Sequence, residues 1–236
     1  MALDVYVGSL ARYYAGEWEN ISERAARERG GRPPSLRAGV SGILGKDPDR
    51  IRSAMSAWRA ALVQSLGDRV AGPFDWDESP EAPYFTGRPG WDGFGSLVLW
   101  AAYAEHPALR LPDALPEEWD NDLALVRSNA EGFRSRYSHL VRNVELWLPC
   151  AFEFTFEGED VRGRRVVMGS ATILRRQLSD LNGATWQANA PVIVRWARSP
   201  PASDASLDLR ARYAFAVLSE LVEQAVEHGL PMKLDY

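Results

Sequence analysis

The balance of apolar spacings shifts near residue 143 of this chain, and that shift limits the possible folds more than any other feature. Through residue 143 apolar side chains recur mostly at steps of three and four, whereas from Val144 stretches in which they recur at every second position are interspersed with helical ones. The first period belongs to helices and the second to strands. The chain therefore reads as α+β, with about six helices and a small mixed or antiparallel sheet built mainly from the C-terminal half. No polar linker marks the change. Residues 1–236 are expected to form a single α+β domain, helix-rich over 1–143 and strand-containing over 144–236.

Individual elements follow from the same periods. Leu3, Val5 and Val7 alternate as a short strand, and Ser9 can cap a helix carrying Leu10, Tyr13, Tyr14, Trp18 and Ile21 as far as Gly30. Asp47-Pro48 opens a second helix with a buried stripe of Ile51, Met55, Trp58, Leu62 and Leu66. Gly93 to Ala104 is apolar on nearly every side, which predicts a helix surrounded by protein and stopped at Pro107. A fourth helix is expected from Pro116 through the stripe Trp119, Leu123, Val126, Ala130, Phe133 and Tyr137. Phe152, Phe154 and Phe156 then alternate with Glu153, Thr155 and Glu157 as a strand. A hairpin leads to Arg164–Met168, with Glu157 or Glu153 facing Arg165. Ser170 caps a fifth helix that ends near Asn182-Gly183, Val192 to Trp196 alternates as a strand, and a last helix runs from Leu207 to Gly229. The closing Met-Lys-Leu-Asp-Tyr reads as an edge strand.

One segment departs from ordinary domain composition. Pro73 to Asp92 holds five acids, five aromatic residues, four prolines and one base. Four prolines exclude a helix interior or a central strand, so this is a surface loop whose carboxylates and rings face something. Its candidate partner-binding residues are Asp75, Trp76, Asp77, Glu78, Glu81, Tyr84, Phe85, Trp91 and Asp92. Full burial of each large ring is worth roughly 1.5–3 kcal/mol, so some of them must dock on the protein or on a partner. Rings among acids make a receptor for arginine- or lysine-bearing surfaces, through cation–π contact and charge pairing.

Charge and cysteine content narrow the classes. A net charge of −5 disfavours nucleic acid and anionic lipid as partners and favours basic ones. All but two of the basic residues are arginines, which suit bidentate pairing with carboxylates inside the molecule; the lysines are Lys46 and Lys233. The single cysteine, Cys150, excludes an internal disulfide and a thiolate metal cluster, and its place before a strand-like run predicts a buried, inert thiol. The first residues lack the basic start and apolar stretch of a signal peptide, and Gly93–Ala104 is too short to span a bilayer. A cytoplasmic protein is expected.

Catalytic motifs fail on spacing. Gly39 to Lys46 resembles a phosphate loop, but its first glycine is displaced and Asp47 stands where a hydroxyl should hold magnesium. Ser41 lacks the following glycine of a nucleophile elbow. His106, His139 and His228 have no zinc spacing, and His106 and His228 suit helix C-termini. Asp75, Asp77 and Glu78 lack the loop of a calcium hand. No catalytic residue, cofactor or metal is assigned. The expectation is a protein that binds and masks a basic partner through the acidic aromatic loop, as an inhibitor or immunity-type protein does. The alternatives are a carboxylate-based hydrolase using a divalent cation, and a small-ligand site between the helical front and the sheet.

Overall fold

The computed structural model describes residues 3–30, 47–70 and 74–236. In chain order the elements are β1 (Asp4–Val7), α1 (Leu10–Ala15), α2 (Ile21–Glu28), α3 (Pro48–Leu66), β2 (Phe85–Gly87), α4 (Trp91–Glu105), α5 (Leu123–Ser128), α6 (Ser138–Val141), β3 (Val144–Leu148), β4 (Phe156–Glu159), β5 (Arg165–Ser170), α7 (Ala171–Ala184), α8 (Ala190–Ala197), α9 (Leu207–Glu227) and β6 (Met232–Asp235). The six strands form one mixed sheet in the order β2-β1-β6-β3-β5-β4, in which β3 and β5 run parallel and the other neighbours antiparallel. The fold is α+β, with most strands in the C-terminal half as the change of period implies.

Alternation along the strands divides the apolar residues between the two faces of this sheet. Val5, Val7, Trp147, Met232 and Leu234 join a cluster with α4, α5, α6, α7 and α9. Leu146, Leu148, Val166 and Met168 join a second cluster with α1, α3, Trp76, Cys150 and Phe152. The long helices α4 and α9 lie at the heart of the first cluster, which explains why α4 is apolar nearly all round.

Five local expectations are corrected. The predicted helix from Leu10 to Gly30 is two helices, because Gly16 closes α1 in the left-handed region (φ 74°) and Asn20 opens α2 with a reciprocal capping box to Glu23. The turn between them lets Trp18 pack 4.8 Å from Tyr6. The predicted helix from Pro116 to Tyr137 is broken into a short 3-10 turn at Trp119–Asn121, then α5 and α6. Asp122 caps α5, and Gly132 takes φ 80° where a helix cannot continue. Of the Phe152–Glu157 strand, only Phe156 and Glu157 enter β4. Glu157 pairs with Arg165 at 3.4 Å, while Glu153 turns to Arg176 at 2.6 Å. Val192–Trp196 is helical, not extended: Asn189 caps α8 by accepting the Val192 N–H, with a proline in the first turn. The C-terminal strand β6 lies between β1 and β3 in the interior of the sheet and not at its edge. The described residues therefore hold nine helices where about six were expected, two from splits and one from α8.

Candidate functional site

Residues 74–92 leave α3, cross the sheet edge as β2 and enter α4, and two arginines clamp them to the body. Arg59 of α3 bonds Asp75 at 2.7 Å and the Trp76 carbonyl at 3.3 Å, and its guanidinium lies 4.1 Å from the centre of the Trp76 ring. Arg12 of α1 donates to the carbonyls of Pro80 and Ala82 and lies 5.1 Å over Tyr84. These contacts convert an irregular, proline-rich stretch into a fixed surface, because most of its turns are tied to a helix on the body.

The candidate residues separate into rings that dock and acids that mostly do not. Trp76 is 6% exposed, packs against Trp58 and donates its indole N–H to Glu78. Tyr84 stacks on Tyr6, Phe85 on His228, and Trp91 meets Tyr236 edge-on. Glu78 is turned inward, where it accepts the Ala11 N–H at 2.7 Å; burial raises its pKa against the hydrogen bonds that lower it. Asp75, Asp77, Glu81 and Asp92 are exposed. Asp75 keeps Arg59 and Asp92 pairs with Arg210, while Asp77 accepts the Ser79 N–H, which holds its carboxyl below the usual range. Glu81 makes no ion pair among the described residues. The structure thus brings Asp75, Trp76, Asp77, Glu78 and Glu81 together on the α1–α3 side. It places Trp91 and Asp92 apart from them, at the start of α4.

The remaining motif candidates resolve into structural roles. Gly39–Lys46, Ser41 and Pro73 lie outside the described residues. His106 and His228 are the C-caps of α4 and α9. Ser128, His106 and Glu105 come together, but Ser128 Oγ donates to Glu105 at 2.6 Å and lies 3.2 Å from His106 Nε2. In a nucleophilic triad the carboxylate binds the far nitrogen of the imidazole and the histidine receives the serine proton. Here the carboxylate takes that proton directly, and its other oxygen accepts from Ser135 and the backbone at Arg136, pinning the turn before α6. His139 is fully buried. Its Nδ1 accepts the Ser170 N–H at 2.8 Å, which leaves the proton on Nε2, and burial lowers its pKa to about 4. Cys150 is buried, and burial pushes its thiol up to about 12, an inert group.

One cluster gave no sequence signal, because its members are scattered from residue 13 to residue 236 and meet only across the sheet. Lys233 of β6 is 2% exposed, its Nζ has no hydrogen-bond partner among the described residues and lies 5.5 Å from the centre of the Tyr13 ring, and burial lowers its pKa to about 8. Around it Tyr13 donates to Asp235 (2.7 Å), Tyr14 to Asp160 (3.1 Å), and Arg164 and Tyr236 both to Glu145 (2.8 and 2.6 Å). An alternating strand with one lysine on the inward side could have hinted at it, but the same pattern is ordinary at sheet edges.

Among the described residues, no three His, Cys, Asp or Glu side chains are grouped to hold a metal ion, and no helix is long and apolar enough to cross a membrane. Comparison with known protein families, with curated proteins and with solved structures gives no significant match.

Proposed function

We propose that this protein binds a basic protein partner through the acidic face formed by Asp75, Asp77 and Glu81, as a cytoplasmic inhibitor or immunity-type protein would. The observation that carries the reading is the division of labour within residues 75–81: the ring of Trp76 is buried and held by Arg59, while three carboxylates within seven residues remain exposed. A surface fixed before binding loses little conformational entropy on association. Exposed carboxylates steer a positively charged partner and fix its register, and the arginine that half-neutralises Asp75 can exchange its carboxylate for the partner's own cation. Glu78, bound to the Ala11 N–H, serves the loop and not the partner.

The test is affinity purification from cells that naturally contain the protein, with the wild-type chain and an Asp75→Asn, Asp77→Asn, Glu81→Gln variant as baits. A stoichiometric basic protein retained by the first and lost by the second supports the proposal. Equal recovery on both baits, or no stoichiometric partner on either, contradicts it.

A further inference from the structure

Further along the same segment, β2 is one of the two edge strands of the sheet. In an antiparallel ladder, pairs that exchange two hydrogen bonds alternate with pairs that exchange none. The Gly8 N–H bonds the Pro231 carbonyl at 3.1 Å, so the even-numbered residues of β1 bond to β6. Val5 and Val7 therefore bond to Gly87 and Phe85, a pattern continued by the Gly90 N–H on the Leu3 carbonyl at 3.3 Å. Thr86, opposite Tyr6, is left with its N–H and C=O directed away from the sheet. No backbone hydrogen bond outside the ladder engages either group among the described residues; the Thr86 hydroxyl bonds the Glu19 carbonyl. Two residues on, the Arg88 carbonyl also faces outward and accepts the Tyr213 hydroxyl at 3.1 Å.

These outward groups open into a slot. A cleft of about 370 Å³ runs along residues 84–88, with Tyr213, Val217 and Leu221 of α9 on one wall and Ile21 and Arg24 of α2 on the other. Gly87 allows the α9 wall to close up to the strand, since a Cβ there would lie 2.7 Å from Leu221 and 2.8 Å from Val217. Past Arg88 a second cleft of about 350 Å³, sharing Arg88 and Tyr213 with the first, extends to Pro200–Ser203. An edge strand whose Thr86 backbone groups are unpaired among the described residues, set between a helix on each side and continued by open space at one end, has the shape of a strand-addition site.

We propose that this slot takes an extended segment of a partner protein, which adds as a strand beside β2 and places an apolar side chain at every second position against Val217 and Leu221. The required chemistry is a free backbone N–H and C=O to meet Thr86, and period-two hydrophobicity to meet the α9 wall. This site is separate from the Asp75–Glu81 face and stands without it.

The probe is a phage-displayed library of random linear dodecapeptides selected on the full chain, followed by calorimetry with the most enriched peptide and its backbone N-methyl derivatives. Enriched sequences should carry apolar residues at alternate positions. Methylation of the amide that faces the Thr86 carbonyl should weaken binding by about tenfold and methylation of either neighbouring amide should leave it unaffected, since only alternate N–H groups face β2. Thr86→Pro, which removes the outward donor without removing a bond to β1, should weaken binding to a similar extent with an unchanged circular dichroism spectrum. If that variant does not fold, Ala197→Trp at the lip of the cleft decides in its place. A library that yields no binder, an N-methyl scan without alternation, or binding that survives the substitution would each overturn the proposal.

Discussion

Replacing Lys233 with Met should stabilise the protein near neutral pH, although it removes a charge from among three carboxylates. The side chain is 2% exposed, and among the described residues its ammonium has a tyrosine ring beneath it but no hydrogen-bond acceptor. Burial lowers its pKa from 10.5 to about 8, which corresponds to about 3 kcal/mol against the charged form. Methionine keeps the volume of the stem and removes the buried charge. The neighbouring acids are not orphaned by the change, because Asp235 keeps Tyr13, Asp160 keeps Tyr14 and the backbone N–H groups of Arg162 and Arg164, and Glu145 keeps Arg164 and Tyr236. The expected gain near neutral pH is about 1–3 kcal/mol, as for other buried charges replaced by apolar groups.

The pH dependence gives this prediction its sign. Below about 8 the lysine is charged in both the folded and the unfolded chain, and the whole penalty is present. Between about 8 and 10.5 the unfolded chain binds more protons than the folded one, so wild-type stability rises with pH and the advantage of Lys233→Met shrinks. Tyr13 and Tyr14, whose hydroxyls burial holds protonated to higher pH, act in both proteins and cancel in the difference. Urea unfolding followed by tryptophan fluorescence, from neutral to mildly alkaline pH, measures the difference directly. A variant less stable than wild type by more than about 1 kcal/mol, or a difference that does not change with pH, would refute the reasoning.

Three further outcomes are expected. Trp76→Ala should cost about 3–5 kcal/mol and raise amide hydrogen exchange across residues 75–84; a smaller loss measured by chemical denaturation would mean that the arginine clamps hold the loop unaided. Gly169→Ala should cost about 1–3 kcal/mol in thermal or urea unfolding, because a Cβ there meets His139 Nδ1 at 2.8 Å and Val144 at 3.0 Å while the imidazole is fixed by the Ser170 N–H. Cys150 should resist a thiol-specific reagent in the native protein at neutral pH and react fully in denaturant, its thiol being buried with a pKa of about 12; rapid native labelling would place the thiol in a more open setting.

Period and capping made much of the fold legible. Asp47 and Ser170 begin α3 and α7 where their side chains accept the first free N–H groups, and the Arg165–Glu157 pair follows from β4 and β5 lying antiparallel. Misreadings occurred where two signals competed. Val192, Val194 and Trp196 alternate like a strand, yet the Asn189 cap and the proline in the first turn fix a helix, which packs Ile193 and Trp196, half-buried, against the core cluster that includes α9 and leaves Val194 in water. Apolar steps from Trp119 to Tyr137 suit a helix only if Gly132 is ignored. In the loop, composition indicated docked rings and displayed acids but not the assignment of each residue. That Glu78 turns inward depends on the Ala11 N–H, sixty-seven residues away in the chain, and the grouping of Lys233 with Tyr13 and Asp160 depends on sheet order. Both are long-range contacts that no local pattern encodes.

The reading of the Asp75–Glu81 face is tested most directly by the association rate of the co-purified basic partner, measured by stopped flow at rising salt for wild type and for the Asp75→Asn, Asp77→Asn, Glu81→Gln variant. Electrostatic capture predicts a wild-type rate that falls steeply with ionic strength and a variant that is slower at low salt and nearly insensitive to it. Equal rates with equal salt dependence would contradict it, and would place the partner's contact elsewhere on the molecule.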